Sequence, residues 1–245
     1  MLFDCACLCR NPFNLYNPLL IMMNRHIILL LSLLLVVACT TYDYDTGDGK
    51  LSYLRADFAE AHSDAVGSLD YFDTDEGQRV YFPAAVQADW AVTADSLYRV
   101  LVYYDATQER ATDKVHSLIH LATLAPKPAK DVKEQFTDPV NVESAWMSAN
   151  GKYINLGLRL MTGATDDDAL KQTVGVLLDE DTEREDHTHH YQLRFFHNQN
   201  GVPEYYSSLV YISIPTASMG AGDGITLRIN TYQGWEERTF EIAPL

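Results

Sequence analysis

The chain has 245 residues, with 18 Lys plus Arg against 34 Asp plus Glu and a formal net charge of −16 at pH 7. Lys and Arg supply most of the affinity of proteins for phosphate backbones, so this charge excludes a nucleic-acid-binding protein that works through a basic face. The hydrophobic fraction of 47% and the charged fraction of 21% are typical of a folded chain rather than a disordered one. We therefore expect a globular protein whose partners are not nucleic acids.

The first predicted element is an export signal over residues 23–38. It has a basic start at Arg25, an apolar run from Ile27 to Val37 and a small residue before Cys39. Secretory signal peptides have this order, and the apolar run is too short to span a bilayer comfortably. Residues 1–22 put cysteines, an aspartate and prolines ahead of the basic start, where a signal needs none of them, so we interpret them as a start-site overrun.

Cys39 is the predicted lipidation site, because the sequence Val36-Val37-Ala38-Cys39 resembles the bacterial lipobox. Each methylene that enters a bilayer contributes about 0.8 kcal/mol, so two or three acyl chains on this cysteine would hold the protein on a membrane. An ordinary signal peptide with an incidental cysteine is the alternative. We predict a lipid-anchored protein of the cell envelope that is attached to the outer membrane, on either its periplasmic or its surface side. Residues 39–50 are predicted to be an acidic tether.

The rest of the chain is predicted to be all-β, because period-two alternation dominates and turn residues interrupt it at short intervals. Five strand candidates within 51–125 favour an OB-like five-stranded barrel. Residues 126–139 are rich in proline and charge without alternation and are predicted to be a linker. Seven strand candidates within 140–245 favour a C-terminal antiparallel β-sandwich.

Several motifs give the chain a family resemblance. They are the lipobox leader, DEGQRVYFPAA at 75–85, SLYRVLVYYD at 96–105, Trp146, YINL at 153–156 and LRFFHNQNG at 193–201. With these motifs the chain resembles the NigD-like lipoproteins from about Leu51 to Ile242. The resemblance implies an OB-like domain followed by a β-sandwich, and it implies no catalytic residues or ligand. Because the family is named after a gene in a bacteriocin cluster, it also implies a bacteriocin-associated accessory or immunity-like factor as one functional class.

His187 and His189 are the candidate metal ligands. They follow a run of acidic residues, and in an extended chain they lie on one face, where two imidazoles can reach one Zn²⁺ or Cu²⁺ ion. No third ligand is fixed by spacing, and a solvated hairpin tip explains the same residues. We expect no cofactor, with zinc or copper as the exception that these histidines allow.

The functional expectation is a non-enzymatic binding module. Of the 15 tyrosines, 14 follow Cys39, and aromatic faces on OB barrels and β-sandwiches hold sugars, although aromatic residues are equally ordinary on strands. We therefore expect a protein or glycan partner in addition to the membrane. The two alternatives are the immunity-like factor and a metal-dependent hydrolase that uses His187 and His189.

Overall fold

A computed structural model describes residues 54–106, 112, 114–164 and 170–243. Its N-terminal part is a five-stranded sheet, formed by β1 (Leu54–Ser63), β2 (Leu69–Thr74), β3 (Arg79–Val86), β4 (Ser96–Asp105) and β5 (Val115–His120). All neighbouring strands are antiparallel, and their order is β3-β2-β1-β4-β5. This is the strand order of an OB barrel opened between β3 and β5, so the predicted OB-like fold is confirmed as a half-barrel.

The inner face of the half-barrel carries apolar side chains at alternate positions. Phe72 on β2 and Tyr104 on β4 are buried, with ring centroids 5.1 Å apart, and Phe82 on β3 lies 5.3 Å from Phe72. Since successive side chains of a strand point to opposite faces, the neighbouring Tyr71 and Tyr81 are on the outer face. Each Tyr-Phe pair thus places one ring in the core and one outside it.

The C-terminal part is a β-sandwich, as predicted. Its strands are β6 (Ala122–Thr123), β7 (Lys127–Pro128), β8 (Asn141–Met147), β9 (Tyr153–Thr162), β10 (Thr173–Glu183), β11 (His189–Asn198), β12 (Tyr206–Pro215), β13 (Gly224–Thr231) and β14 (Gly234–Glu241). One sheet has the order β14-β13-β11-β10-β7 and the other β6-β12-β9-β8. Ile154, Leu156 and Leu158 of β9 and Leu193 and Ile225 of the opposite sheet are fully buried in the core.

The sandwich is not purely antiparallel. The strand β11 pairs in parallel with β13, and the short strands β7 and β6 pair in parallel with β10 and β12. Between β11 and β13 the chain passes through β12 in the opposite sheet, so it returns to the first sheet running in its former direction. Between the remaining pairs of named strands in the described sandwich the pairing is antiparallel, as predicted.

Residues 126–139, the predicted linker, run along the sandwich. They contain β7 and a short 3₁₀ helix, Ala129–Asp131. Further on, the Asp138 amide donates to the carbonyl oxygen of His197 at 2.9 Å, and the Val140 amide donates to that of Asn230 at 3.0 Å. This segment therefore adds hydrogen bonds to the sandwich, and the domain boundaries stay predictions.

The predicted overrun, signal peptide and tether, and with them Cys39, lie outside the described residues. Within the ranges that the structure describes, no helix is long and apolar enough to cross a membrane.

Candidate functional site

Arg99 on β4 connects the half-barrel to the sandwich. Its side chain is 1% exposed and donates to both carboxylate oxygens of Asp75, at 2.6 and 2.7 Å. It also donates to Ser213 Oγ on β12 at 3.1 Å and to Asn155 Oδ1 on β9 at 3.0 Å. The guanidinium lies 4.1 Å from the centroid of the Tyr153 ring. A buried charge is tolerated only when it is paired and hydrogen-bonded, and Asp75 pairs with this one. The hydrogen bonds to Ser213 and Asn155 then connect the half-barrel to the sandwich.

Glu60 on β1 forms the second polar connection. It pairs with Arg99 in register, and the residue is only 7% exposed. Its Oε2 accepts from Lys152 Nζ at 2.6 Å, and its Oε1 accepts from the Tyr153 hydroxyl at 2.8 Å. Burial and this hydrogen bond raise the pKa of Tyr153 above its ordinary value of 10, so the phenol keeps its proton, and this hydrogen bond, well above neutral pH.

Phe58 adds an apolar connection beside the two polar ones. Its ring packs edge-on against Trp146 and Tyr211 of the sandwich, with centroids 5.1 and 5.5 Å away. Tyr211 can lie close to β9 because Gly157 has no side chain: a Cβ there would be 3.0 Å from the Tyr211 ring. These contacts fall within one compact unit, Lys50–Leu245. We call Phe58, Glu60, Arg99 and their partners in the sandwich the junction.

Beyond the junction, the outer face of the half-barrel carries four side chains in a row across four strands. Leu97 of β4 pairs with His62 of β1, His62 with Tyr71 of β2, and Tyr71 with Tyr81 of β3. Leu97 is 55% exposed and Tyr81 is 50% exposed. Three strand spacings make this row about 14 Å long. We call these four residues the aromatic row.

The rings of the aromatic row are held in place by neighbouring charges. His62 stacks on Tyr71 with centroids 4.6 Å apart and planes 9° apart, and its Nδ1 is 2.8 Å from the Asp70 carboxylate. The Arg79 guanidinium lies 4.0 Å from the Tyr71 centroid and is itself held by two 2.8 Å hydrogen bonds to Asp73. Since β1 and β3 flank β2, the two groups approach Tyr71 from opposite sides. His62 and Arg79 therefore pack against the faces of the Tyr71 ring, which is partly buried.

Two loops next to the aromatic row extend it with apolar surface. Val66, between β1 and β2, and Val92, between β3 and β4, are each 80% exposed. The loops touch each other, because the Asp95 amide donates to the Asp64 carbonyl oxygen at 3.2 Å. In OB folds the face of β2 and β3 and the β1–β2 loop are a common ligand-binding surface. The aromatic row and these loops are thus the candidate binding face.

The aromatic row was not anticipated from the sequence, although a signal for it exists. Tyr-Phe occurs at 71–72 and again at 81–82, on either side of the turn residues Asp75 to Gly77. A hairpin centred on that turn pairs Tyr71 with Tyr81 and turns both toward the same face.

The predicted metal ligands lie at the β10–β11 hairpin. His187 is in the turn, with a left-handed φ of 65°, whereas His189 begins β11, so the two are not consecutive outward residues of one strand. Each imidazole meets its own carboxylate: His187 Nδ1 is 2.8 Å from Glu183, and His189 Nδ1 is 2.7 Å from Asp181. Among the described residues no group of three His, Cys, Asp or Glu side chains is arranged to hold a metal ion. Metal binding by this pair stays a prediction.

The His189–Asp181 pair gives a prediction on pH. The hydrogen bond to Asp181 raises the pKa of His189 above its ordinary value of 6.5, so the folded chain binds this proton more tightly than the unfolded chain does. The pair therefore stabilises the hairpin fully below about pH 6.5, and that contribution is lost as the pH rises through the folded-state pKa. An NMR titration of His189 should give a midpoint above 6.5, and Asp181→Asn should lower it. A native midpoint at or below 6.5 would contradict the pairing.

The fold and the site together define an OB-like half-barrel joined to a β-sandwich, with a partly exposed aromatic row beside the junction. The family model of the NigD-like C-terminal β-sandwich domain matches residues 120–242, half of the chain. The chain belongs to this NigD-like family, which confirms the resemblance seen in its motifs.

Several solved structures share this fold. A NigD-like immunity protein of Bacteroides caccae is 22% identical with a TM-score of 0.61, over 78% of this chain and 97% of that one. A Parabacteroides distasonis protein described as toxin-related is 16% identical with a TM-score of 0.59, over 78% and 93%. A Bacteroides fragilis protein described as a lipoprotein is 12% identical with a TM-score of 0.51, over 78% and 97%. No curated protein matches the chain. At these identities the likeness concerns the fold alone.

Proposed function

We propose that this chain is a lipid-anchored envelope protein that acts by binding another protein through the aromatic row. The observation that carries the proposal is the row itself, in which four side chains from four strands stand in register beside exposed loops. Tyr and Arg are enriched among the residues that dominate protein–protein binding energy. Rings that are already held by neighbouring groups lose little conformational entropy on binding, which favours affinity.

The ring geometry favours a protein over a polysaccharide as the partner. Sugars bind aromatic residues by stacking on open ring faces, whereas the Tyr71 ring meets His62 on one side and Arg79 on the other. What remains available is the edge of the Tyr71 ring, the half-exposed Tyr81 ring, the Arg79 guanidinium and the aliphatic side chain of Leu97, a mixture that suits a polypeptide surface. The net charge of −16 further favours a basic partner, because opposite charges accelerate association.

Site-specific photo-crosslinking tests this proposal. A benzoylphenylalanine is placed at Tyr81 in cells that make the protein, and the matched control carries it at Tyr205, which is 78% exposed on the sandwich. The proposal predicts a discrete protein adduct from position 81 that is absent from position 205. No adduct at position 81, or the same adducts at both positions, would refute it.

The membrane anchor is tested separately. Labelled palmitate should be incorporated into the native protein and lost with Cys39→Ser, while the Cys39→Ser chain should leave the membrane fraction. Incorporation that survives this substitution would refute lipidation at Cys39.

An immunity-like role is the second candidate, and it is favoured by the name of the Bacteroides caccae structure. Such a factor also acts by binding a protein, so it would use the same face. Deleting the gene should then make cells sensitive to spent medium of the parent strain, and unchanged growth would count against this role.

The metal-dependent hydrolase remains the third interpretation. It is tested by metal analysis of tagless protein purified without chelator. Stoichiometric zinc or copper that is lost with His187→Ala or His189→Ala would support it, and metal-free protein would count against it.

A further inference from the structure

A cleft of about 440 Å³ opens where the half-barrel meets the sandwich. We call it the junction cleft, and its lining includes Glu60, Lys152, Tyr153, Pro215, Met219 and Ile242. The cleft combines one buried carboxylate with apolar walls. That combination resembles ligand sites, in which a few polar groups orient a ligand that apolar surface holds.

The carboxylate of Glu60 has unused capacity. A carboxylate offers about four acceptor positions, and Glu60 receives one hydrogen bond from Lys152 and one from Tyr153. Glu60 is nearly buried, so its charge needs a cation close by. The cation in hydrogen-bond contact with it is Lys152, at 2.6 Å, and the Lys152 side chain is 56% exposed, so it has room to move into solvent. Another ammonium group can therefore take the place of Lys152 without leaving Glu60 unpaired.

The walls of the cleft suit the aliphatic stem of such a group. Pro215, Met219 and Ile242 supply apolar surface beside the carboxylate. A lysine side chain has four methylenes and a terminal ammonium, and it commonly buries the stem while the charge meets a polar group.

The cleft lies next to the aromatic row. Glu60 and His62 are two residues apart on β1 and point to the same face, so their Cα atoms are about 7 Å apart. A polypeptide on the aromatic row is therefore within one side-chain length of the cleft. The excess of acidic residues in the chain favours a partner that carries lysines.

We propose that the junction cleft receives a lysine side chain of the partner, whose ammonium binds Glu60 in place of Lys152. This inference rests on the proposed function, since it takes the polypeptide on the aromatic row as the source of the lysine. Glu60 then recognises one lysine of the partner, while the aromatic row provides most of the contact area.

The test uses Nα-acetyl-lysine N-methylamide as the probe and residues 39–245 with Cys39→Ser as the protein. NMR follows the amide signals of Gly151 and Thr216, which line the cleft. The control ligand is the norleucine analogue, which lacks the ammonium. The control variant is Lys127→Ala, which removes an exposed lysine outside the cleft.

We expect the lysine derivative to bind more tightly than the norleucine derivative. Lys152→Ala should strengthen lysine binding about tenfold by removing the internal competitor, Glu60→Gln should abolish it, and Lys127→Ala should leave it unchanged. If Glu60→Gln does not fold, the Lys152→Ala comparison still decides. Equal binding of the two ligands, or no gain in Lys152→Ala, would overturn the inference. A partner adduct at position 81 would leave the proposed function standing in that case.

Discussion

Arg99→Ala is expected to lower the free energy of unfolding by about 3–5 kcal/mol, the usual cost of removing one partner of a buried ion pair. The substitution leaves the Asp75 carboxylate, whose side chain is 13% exposed, without its two short hydrogen bonds. It also removes the donors to Ser213 and Asn155, through which the half-barrel contacts the sandwich. Urea unfolding followed by tryptophan fluorescence measures the loss, and Trp146 reports on the junction directly.

Arg79→Ala is the matched control for this prediction. Arg79 makes the same two-point contact with an aspartate, at 2.8 Å to each oxygen of Asp73, but its side chain is 48% exposed. Water screens an exposed pair, so its removal should move the urea midpoint far less. Equal shifts for Arg79→Ala and Arg99→Ala would show that the junction does not stabilise the fold as we describe.

The sequence predicts the strands well because their alternation is a local property. The segment SLYRVLVYYD reads as a strand whatever packs against it, and β4 covers this whole segment. The OB-like barrel and the sandwich were predicted from the number and spacing of such segments, whereas the order of the strands was not. The parallel pairing of β11 with β13 did not, since it depends on the path of β12 through the opposite sheet.

The junction could not be predicted in the same way. Alternation places Arg99 on the outer face of the half-barrel, where a charged residue is expected to face water. Arg99 is buried because Ser213, 114 residues away, lies against it in the folded chain. Its contact with Asp75 also depends on the register of several strands. The same limit applies to His187 and His189. They were predicted to share one face of an extended chain, but His187 lies in a turn.

Tyr71→Ala is expected to weaken binding of the partner at least about 30-fold, the loss typical of a residue that dominates an interface. Tyr71 is the centre of the aromatic row: His62 stacks on it, Tyr81 lies 5.8 Å away and Arg79 packs against its ring. Its removal therefore takes away one ring and also releases three neighbours from their fixed positions. The fold should survive, because the core ring on β2 is the adjacent Phe72.

The role of the aromatic row as the binding face is tested most directly with the partner that is crosslinked at position 81, by comparing its dissociation constants for native and variant chains. Isothermal titration compares the native chain with Tyr71→Ala and with Tyr205→Ala, the matched removal of an exposed tyrosine elsewhere. We expect a loss of at least about 30-fold for Tyr71→Ala and less than about threefold for Tyr205→Ala. Equal affinities of the native chain and a folded Tyr71→Ala variant would contradict the claim that the aromatic row is the binding face.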